Sequence, residues 1–446
     1  MIRLLVSSAL LLSPISAFHL PSTLRPPTKL FALSVVENTP REYQNFAGWS
    51  NHYGMLMENG FQLTENNGDW SVMAAMPVAR GSRVLYVPGM LALSSKRAKE
   101  EDFPGLESIE QFLDKKGAAD LVPQFYLFLK VLKEYENGEQ SPYYPWFDAM
   151  PRKFSTAVNF DDFEMQCLPP FVGSLARLDR INFGTFTEAL QRVNPDYIRQ
   201  ETKSDSVAIK WAYNVVFTRC WSKTGDEVEI VPMADMFNHA ANANVEVKYD
   251  GQGNCHVILM RDAQQGEPLC LSYGNPTNPS RFLSTFGFLD QSPPATFCKI
   301  MTARPSKELK NLGYDFSRMV FYVEDGAIAE EVWDVVLYSL LENRPDIRKA
   351  FYHAHMIGDR ETKVMMHSQY LSETIPTLLA HVDKTLAELD VLADKMRNEG
   401  PDGHDNLIMI WHHNEFVRAT FLKVKARLDR MLANENARRA TEYAAQ

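Results

Sequence analysis

The chain has little cysteine, no cationic excess and no long apolar run, and each shortage removes a class of protein. Its five cysteines, Cys167, Cys220, Cys255, Cys270 and Cys298, form no C-x-x-C pair. Neither a disulfide framework nor a cysteine zinc cluster fits that spacing, so the thiols read as reduced. Lysine plus arginine total 46 against 56 for aspartate plus glutamate, a formal charge of −10. A phosphate-tracking surface needs clustered cations, so no nucleic-acid partner is expected. No apolar stretch reaches the ~20 residues of a bilayer-spanning helix, and no stable membrane anchor is expected. What is present is the composition of packed structure: 45% hydrophobic and 23% charged over 446 residues. At about 150 residues per unit, that length holds roughly three packed units.

The first residues, MIRLLVSSALLLSPISA, have a basic start at Arg3, an apolar run from Leu4 to Leu12, and the small pair Ser16-Ala17 before Phe18. That is the grammar of a signal peptide. The next stretch contains Arg25, Lys29 and several hydroxyl residues but no acidic residue before Glu37, which suits a transit peptide. Together they resemble the two-part presequence of algae with complex plastids, over residues 1–33. The expected location is the plastid stroma, with secretion as the alternative.

From Tyr43 to Leu93 a short helical start gives way to alternating segments near Val72–Ala75 and Val84–Val87, with turn chemistry at Asn66–Asp69 and Arg80–Ser82. The period then changes. Leu121, Phe125, Phe128, Leu129 and Leu132 sit at helix spacing, as one stripe of an amphipathic helix. Strand signals return at Val228–Val231, Val245–Tyr249, His256–Met260 and Leu269–Ser272. Two long helical stripes follow, Ile375 to Leu389 and Val417 to Leu432, separated by Gly400-Pro401-Asp402-Gly403. The expected organisation is a β-rich part over 40–93, a helical insert over 94–205, a second β-rich part over 206–294 and a helical region over 295–446.

The densest chemical signal is IVPMADMFNHAANANVEV from Ile230, followed by GEPLCLSYGNPTNPSRFLSTFGFLD up to Asp290. A strand runs into a proline-punctuated turn bearing Asp235, Asn238 and His239, and a second strand ends at Ser272-Tyr273-Gly274. By itself, an Asn-His pair at a strand exit is more often a capping turn with a packed histidine than a ligand site.

The ordered set of motifs resembles the SET-domain methyltransferases, in the branch of the RuBisCO large-subunit lysine methyltransferase, whose pattern is V-P-x-x-D-x-x-N-H followed by Y-G-x-x-x-N and Y-G-F. Val231-Pro232, Asp235, Asn238-His239, Tyr273-Gly274, Asn278 and Gly287-Phe288 match. Trp211-Ala212 and Thr218-Arg219 are similar to the family's helix ending in Ser-Arg, and Ser141 to Pro151 to its aromatic insert. The resemblance covers nearly all of the chain after the presequence. It implies an α+β class: a β-rich SET fold interrupted by a helical insert and followed by a helical C-terminal substrate-binding domain.

The same resemblance implies transfer of the sulfonium methyl of S-adenosyl-L-methionine (AdoMet) to a protein nitrogen, lysine first. It assigns Gly68, Asp69, Trp70, Asn238 and His239 to the cofactor, Arg219 and Asp235 to the substrate side, and Tyr273 and position 286 to catalysis. For Arg219 and Asp235 a buried salt bridge is an equal alternative. Two departures matter. Ser71 stands where a second glycine usually lies, and Phe286 replaces the tyrosine whose hydroxyl lies beside the reacting nitrogen. Lysine, with a reference pKa of about 10.4, must lose a proton before attack, whereas histidine, at about 6.5, is already largely neutral. An actin-histidine methyltransferase of the same branch also lacks that tyrosine. Histidine transfer, or a SET-like binding protein without turnover, are therefore the competing readings. RuBisCO large subunit or a sugar-bisphosphate aldolase are the substrates the resemblance implies.

No metal is expected. His353 and His355 point to different helix faces, His412 and His413 are adjacent, and no H-E-x-x-H occurs. The basic run Lys423, Lys425, Arg427 and Arg430 reads as a solvated face, with docking of an acidic protein as the sharper alternative.

Overall fold

The computed structural model describes residues 33–35, 41–66, 69–274, 279–290, 295–300, 305–315 and 317–444. The presequence, apart from its last residue, lies outside them, as do Gly68 and Asn278. The first part is β-rich, as its alternation suggests. After α1 (Gln44–His52), β1 (Leu56–Met57) leads into the hairpin of β2 (Phe61–Asn66) and β3 (Asp69–Ala74), with Asn66 opposite Asp69. β4 (Arg83–Val87) and β5 (Leu93–Ser94) follow, and the chain returns to strand only at β6 (Trp221–Thr224) and β7 (Glu227–Ile230). β8 (Asn238–His239), β9 (Val245–Tyr249), β10 (Cys255–Leu259) and β11 (Cys270–Leu271) complete this part.

Strands distant in sequence pair throughout. One sheet has the order β1-β4-β10-β9 and another β5-β7-β6, so chain before and after the helical stretch is interleaved. Val84, Leu85, Val87, Val257 and Leu259 bury their side chains where β4 meets β10. β8 and β11 pair in parallel, with Asn238 opposite Cys270 and His239 opposite Leu271. That pairing joins the two motif segments picked out in the sequence.

Helices dominate between β5 and β6. The principal ones are α2 (Val122–Asn137), α3 (Pro170–Arg192) and α4 (Ser206–Arg219), the last capped by Asp205, which accepts from the Val207 and Ala208 N–H groups. Here one expectation is corrected. α2 does not bury a single stripe: Tyr126 and Leu127 are buried along with Phe125, Phe128, Leu129 and Leu132, and Leu121 lies in the short turn before it. Its surroundings close over it on most sides, which makes it a core helix.

The last part holds the hairpin β12 (Ala295–Phe297) and β13 (Val320–Tyr322), then α5 (Glu330–Leu340), α6 (Pro345–Ile357), α7 (Arg360–Glu399) and α8 (Leu407–Ala444). α7 and α8 pack together after the Gly400–Gly403 break, where both glycines take positive φ. A separate apolar cluster joins this region to the insert and the motif segment: Ala157, Phe160, Cys167, Val172, Leu283, Met396, Leu407 and Ile410. The basic run on α8 is tied to neighbours. Lys423 donates to the Val323 and Glu324 carbonyls, while Lys425 pairs with Asp383 and Arg427 with Asp325.

Candidate active site

α4 ends at Arg219, and the β6–β7 hairpin returns the chain to Asp235, so a short excursion brings the two side chains together. Arg219 Nη1 donates to Asp235 Oδ2 at 2.7 Å and to the Asp235 carbonyl at 3.0 Å. The carboxyl is fully buried and also accepts from Trp146 Nε1 at 3.2 Å, so the helical insert reaches the site through that indole. Burial pushes the Asp235 carboxyl up against the opposing pull of Arg219. Met233, two residues earlier and buried, takes φ +66°, a left-handed conformation that costs a non-glycine residue about 1–3 kcal/mol. The turn thereby aims Asp235 inward. The salt-bridge reading of this pair holds, and the pair also keeps unused capacity: Arg219 Nε and Asp235 Oδ1 are buried and take no hydrogen bond among the described residues.

The His239 side chain is 2% exposed, with Nε2 3.2 Å from Asp290 Oδ2. Its Nδ1 accepts from the Tyr273 N–H at 3.1 Å, which leaves the proton of the neutral ring on Nε2. Burial lowers its pKa and Asp290 opposes that. Asn238, next to it, is exposed. The Tyr273 hydroxyl donates to the Phe237 carbonyl at 2.7 Å, and burial pushes the phenol up to about 12. Tyr273 is therefore a fixed dipole and no proton acceptor at neutral pH.

An aromatic wall surrounds these groups. His239 stacks near Phe282 at 4.4 Å between ring centroids and Phe288 at 5.8 Å, and Tyr273 sits 5.3 Å from Phe286. The Asn-His turn and the aromatic-Gly-Phe segment thus pack against each other on one side of the molecule. Phe286 is half-buried at the wall. Gly287 closes the turn at φ +76°, with its backbone so near Ser155 and Thr156 that a Cβ would lie 2.6 Å from the Ser155 carbonyl carbon.

The N-terminal side is supplied by residues that sequence reasoning partly missed. Trp70 stacks on Tyr43 with centroids 3.6 Å apart, and Arg41 covers the Tyr43 ring from 5.0 Å. Burial and the like charge of Arg219 pull Arg41 down to about 10, and Asp69 is near enough to oppose this. Asp69 is exposed, beside Trp70 at the start of β3. Of the candidate residues, the structure gathers Arg219, Asp235, His239, Tyr273 and Phe286 around one cleft and sets Asp69 and Trp70 at its charged margin; Gly68 lies outside the described residues. Arg41, Tyr43, Trp146, Phe282 and Asp290 were missed. Phe282 and Asp290 stood within the quoted motif and Trp146 within the Ser141–Pro151 insert, though none was assigned a role; Arg41 and Tyr43 reach the site by long-range packing with no local pattern. No three metal-ligating groups cluster among the described residues. A cavity of about 720 Å³ lies elsewhere, between Lys96, Lys99 and the Ser222–Val228 hairpin, and includes none of these residues.

Residues 69–274 match the family model of the SET domain. The chain carries a SET domain. Its fold matches that of the SET domain of LSMT bound to lysine and AdoHcy, with TM-score 0.60, 14% identity, and coverage of 89% of this chain and 92% of that one. Rubisco LSMT bound to sinefungin and monomethyllysine matches with TM-score 0.61 at 14% identity, covering 89% and 93%. In sequence, the actin-histidine N-methyltransferases of Mus musculus and Rattus norvegicus are 22% and 23% identical over 276 and 277 residues, 58% of this chain in each case. The matched region spans only 45% of the length of those two relatives. The expected SET fold, with strands, many helices and a helical C-terminal region, is therefore the observed one.

Proposed function

We propose that this protein is an AdoMet-dependent protein N-methyltransferase. The carrying observation is the pair of unused, buried polar atoms on Arg219 and Asp235 beside the His239 aromatic wall. On the substrate side, where the family resemblance sets this pair, a guanidinium nitrogen and a carboxylate oxygen are partners for the polar groups around an acceptor nitrogen. Asn238 offers an exposed amide beside the aromatic cluster of Phe282, Phe288 and His239, an apolar surface against which an adenine can lie. When bound, AdoMet supplies an electrophilic methyl group on a sulfonium. This chain's residues have the remaining work: Arg219, Asp235 and Asn238 bind, and the rings exclude water and orient the acceptor nitrogen for in-line attack.

The acceptor chemistry follows from hydroxyls. Position 286 has none, and the one on Tyr273 donates to the Phe237 carbonyl, which fixes its direction. At pH 7.4 a lysine lies about three pH units from neutrality, ~4 kcal/mol, and position 286 has no hydroxyl to orient its nitrogen. An imidazole carries no such cost. The geometry therefore favours histidine over the lysine ranked first by family resemblance, in keeping with the named activity of the curated relatives. Lysine is the second reading, supported by the fold match to LSMT bound to lysine.

Calorimetric titration with AdoMet tests the core of this reading. Wild-type protein is expected to bind, and Asn238→Ala to bind about 3–10-fold more weakly, the scale of one hydrogen bond, with unchanged thermal stability. No binding by well-folded wild-type protein would favour a SET-like binding module. Labelled methyl transfer into a cell extract, read by mass spectrometry, separates methyl-histidine from methyl-lysine. RuBisCO large subunit and aldolase are the first acceptors to try. The plastid reading of residues 1–33 is tested by fusing them to a fluorescent reporter, and a secreted reporter would overturn it.

A further inference from the structure

The segment from Ser280 to Phe288 carries Phe282, Phe286 and Phe288, three rings of the cleft wall. One end is pinned to the insert: the Ala157 N–H donates to the Ser284 carbonyl at 2.8 Å, and Gly287 lies against the Ser155–Thr156 backbone. The other end is held by α8. Ser280 Oγ is 3.0 Å from His413 Nε2, His413 Nδ1 is 3.1 Å from Asn414 Oδ1, and Asn414 Nδ2 donates to the Cys167 carbonyl at 3.0 Å.

The direction of each bond in this relay is fixed. A carbonyl only accepts, so the Cys167 oxygen fixes the Asn414 amide with Oδ1 toward His413. His413 Nδ1 must then donate, which leaves Nε2 of the neutral ring to accept from the Ser280 hydroxyl. The imidazole is fully buried, and burial holds it at about 4, so it is neutral at pH 7. For packing alone an aliphatic side chain would fill the space with nothing polar to satisfy. What the imidazole adds is direction: a satisfied buried network selects one arrangement of the groups it joins.

We propose that His413 is a positioning residue, through which the C-terminal helix fixes Ser280 and hence the aromatic wall facing the acceptor nitrogen. This rests on the methyltransferase reading above. His413 touches neither acceptor nor cofactor and acts only through Ser280.

The test compares His413→Leu, His413→Gln, Ser280→Ala and the Leu/Ala double variant. Glutamine retains an acceptor and a donor; leucine retains only bulk. His413→Leu and Ser280→Ala are each expected to lower kcat/KM for the protein acceptor about tenfold, the scale of one lost buried hydrogen bond, while the AdoMet Kd stays within about twofold. His413→Gln should act like wild type, and the double variant should be no worse than either single one. Amide exchange over 280–288 should rise in the Leu and Ala variants and not in the Gln variant. Wild-type turnover in His413→Leu or Ser280→Ala, a Gln variant as impaired as Leu, or additive effects would each overturn the proposal. Should His413→Leu not fold, Ser280→Ala with His413→Gln decides. The exchange measurement needs no turnover: if wild-type protein binds no AdoMet, the functional reading falls while the link from His413 to the turn is still judged.

Discussion

Phe286→Tyr adds a single hydroxyl at the cleft wall, and its effect separates the two acceptor readings. The ring is half-buried and 5.3 Å from Tyr273, so the new oxygen keeps access to water in the free protein. The cost to folding is therefore about 0.5 kcal/mol or less. In the methyl-transfer transition state the oxygen can accept from the lysine nitrogen and hold its lone pair in line, a hydrogen bond worth about 1–2 kcal/mol. That predicts a 5–30-fold rise, approximately, in transfer to lysine, with transfer to histidine unchanged or reduced. Labelled AdoMet and a cell extract provide the assay, with methyl-lysine and methyl-histidine quantified separately in wild type and variant. Lysine transfer that stays flat or drops in a variant with intact AdoMet binding would refute the reasoning that the missing hydroxyl selects the acceptor.

Removing one partner of the buried ion pair, by Asp235→Ala, strands the Arg219 guanidinium and should destabilise the SET region by about 3–5 kcal/mol, read as a lower denaturant midpoint. Gly287→Ala should cost more than about 1 kcal/mol and impair transfer, because the new Cβ has neither the φ nor the space it needs; unchanged stability would contradict the close approach to Ser155. For pH, His413 has a folded-state pKa of about 4 against an unfolded value of 6.5, so the unfolded chain binds the extra proton between them. Its contribution is full above pH 6.5 and is lost as pH falls to 4, by up to about 3 kcal/mol. Asp179, raised to about 6 chiefly by burial, works in the opposite direction over the same window. His413→Gln should thus be more resistant to acid than wild type, as measured by denaturation at pH 7 and pH 4.5.

The sequence by itself determined the elements whose information is local. Alternation in Val84–Val87 and Val245–Tyr249 marked strands, the Gly400–Gly403 break separated two long helices, and the Val231–His239 and Tyr273–Phe288 motifs carried the family resemblance. Each of these depends on side chains within a few residues of one another. The tertiary structure decided what depends on distant groups meeting. It alone paired β8 with β11, closed α2 on most sides, brought Arg41, Tyr43 and Trp146 to the cleft, and committed the Tyr273 hydroxyl to a carbonyl 36 residues away. The His413 relay is the clearest case. In the sequence it was half of an adjacent histidine pair without metal geometry, and its partners Ser280 and Cys167 lie 133 residues away and more. A hydrogen bond is directional and short, so its existence is fixed only when packing has placed both ends, and no periodicity along the chain carries that information.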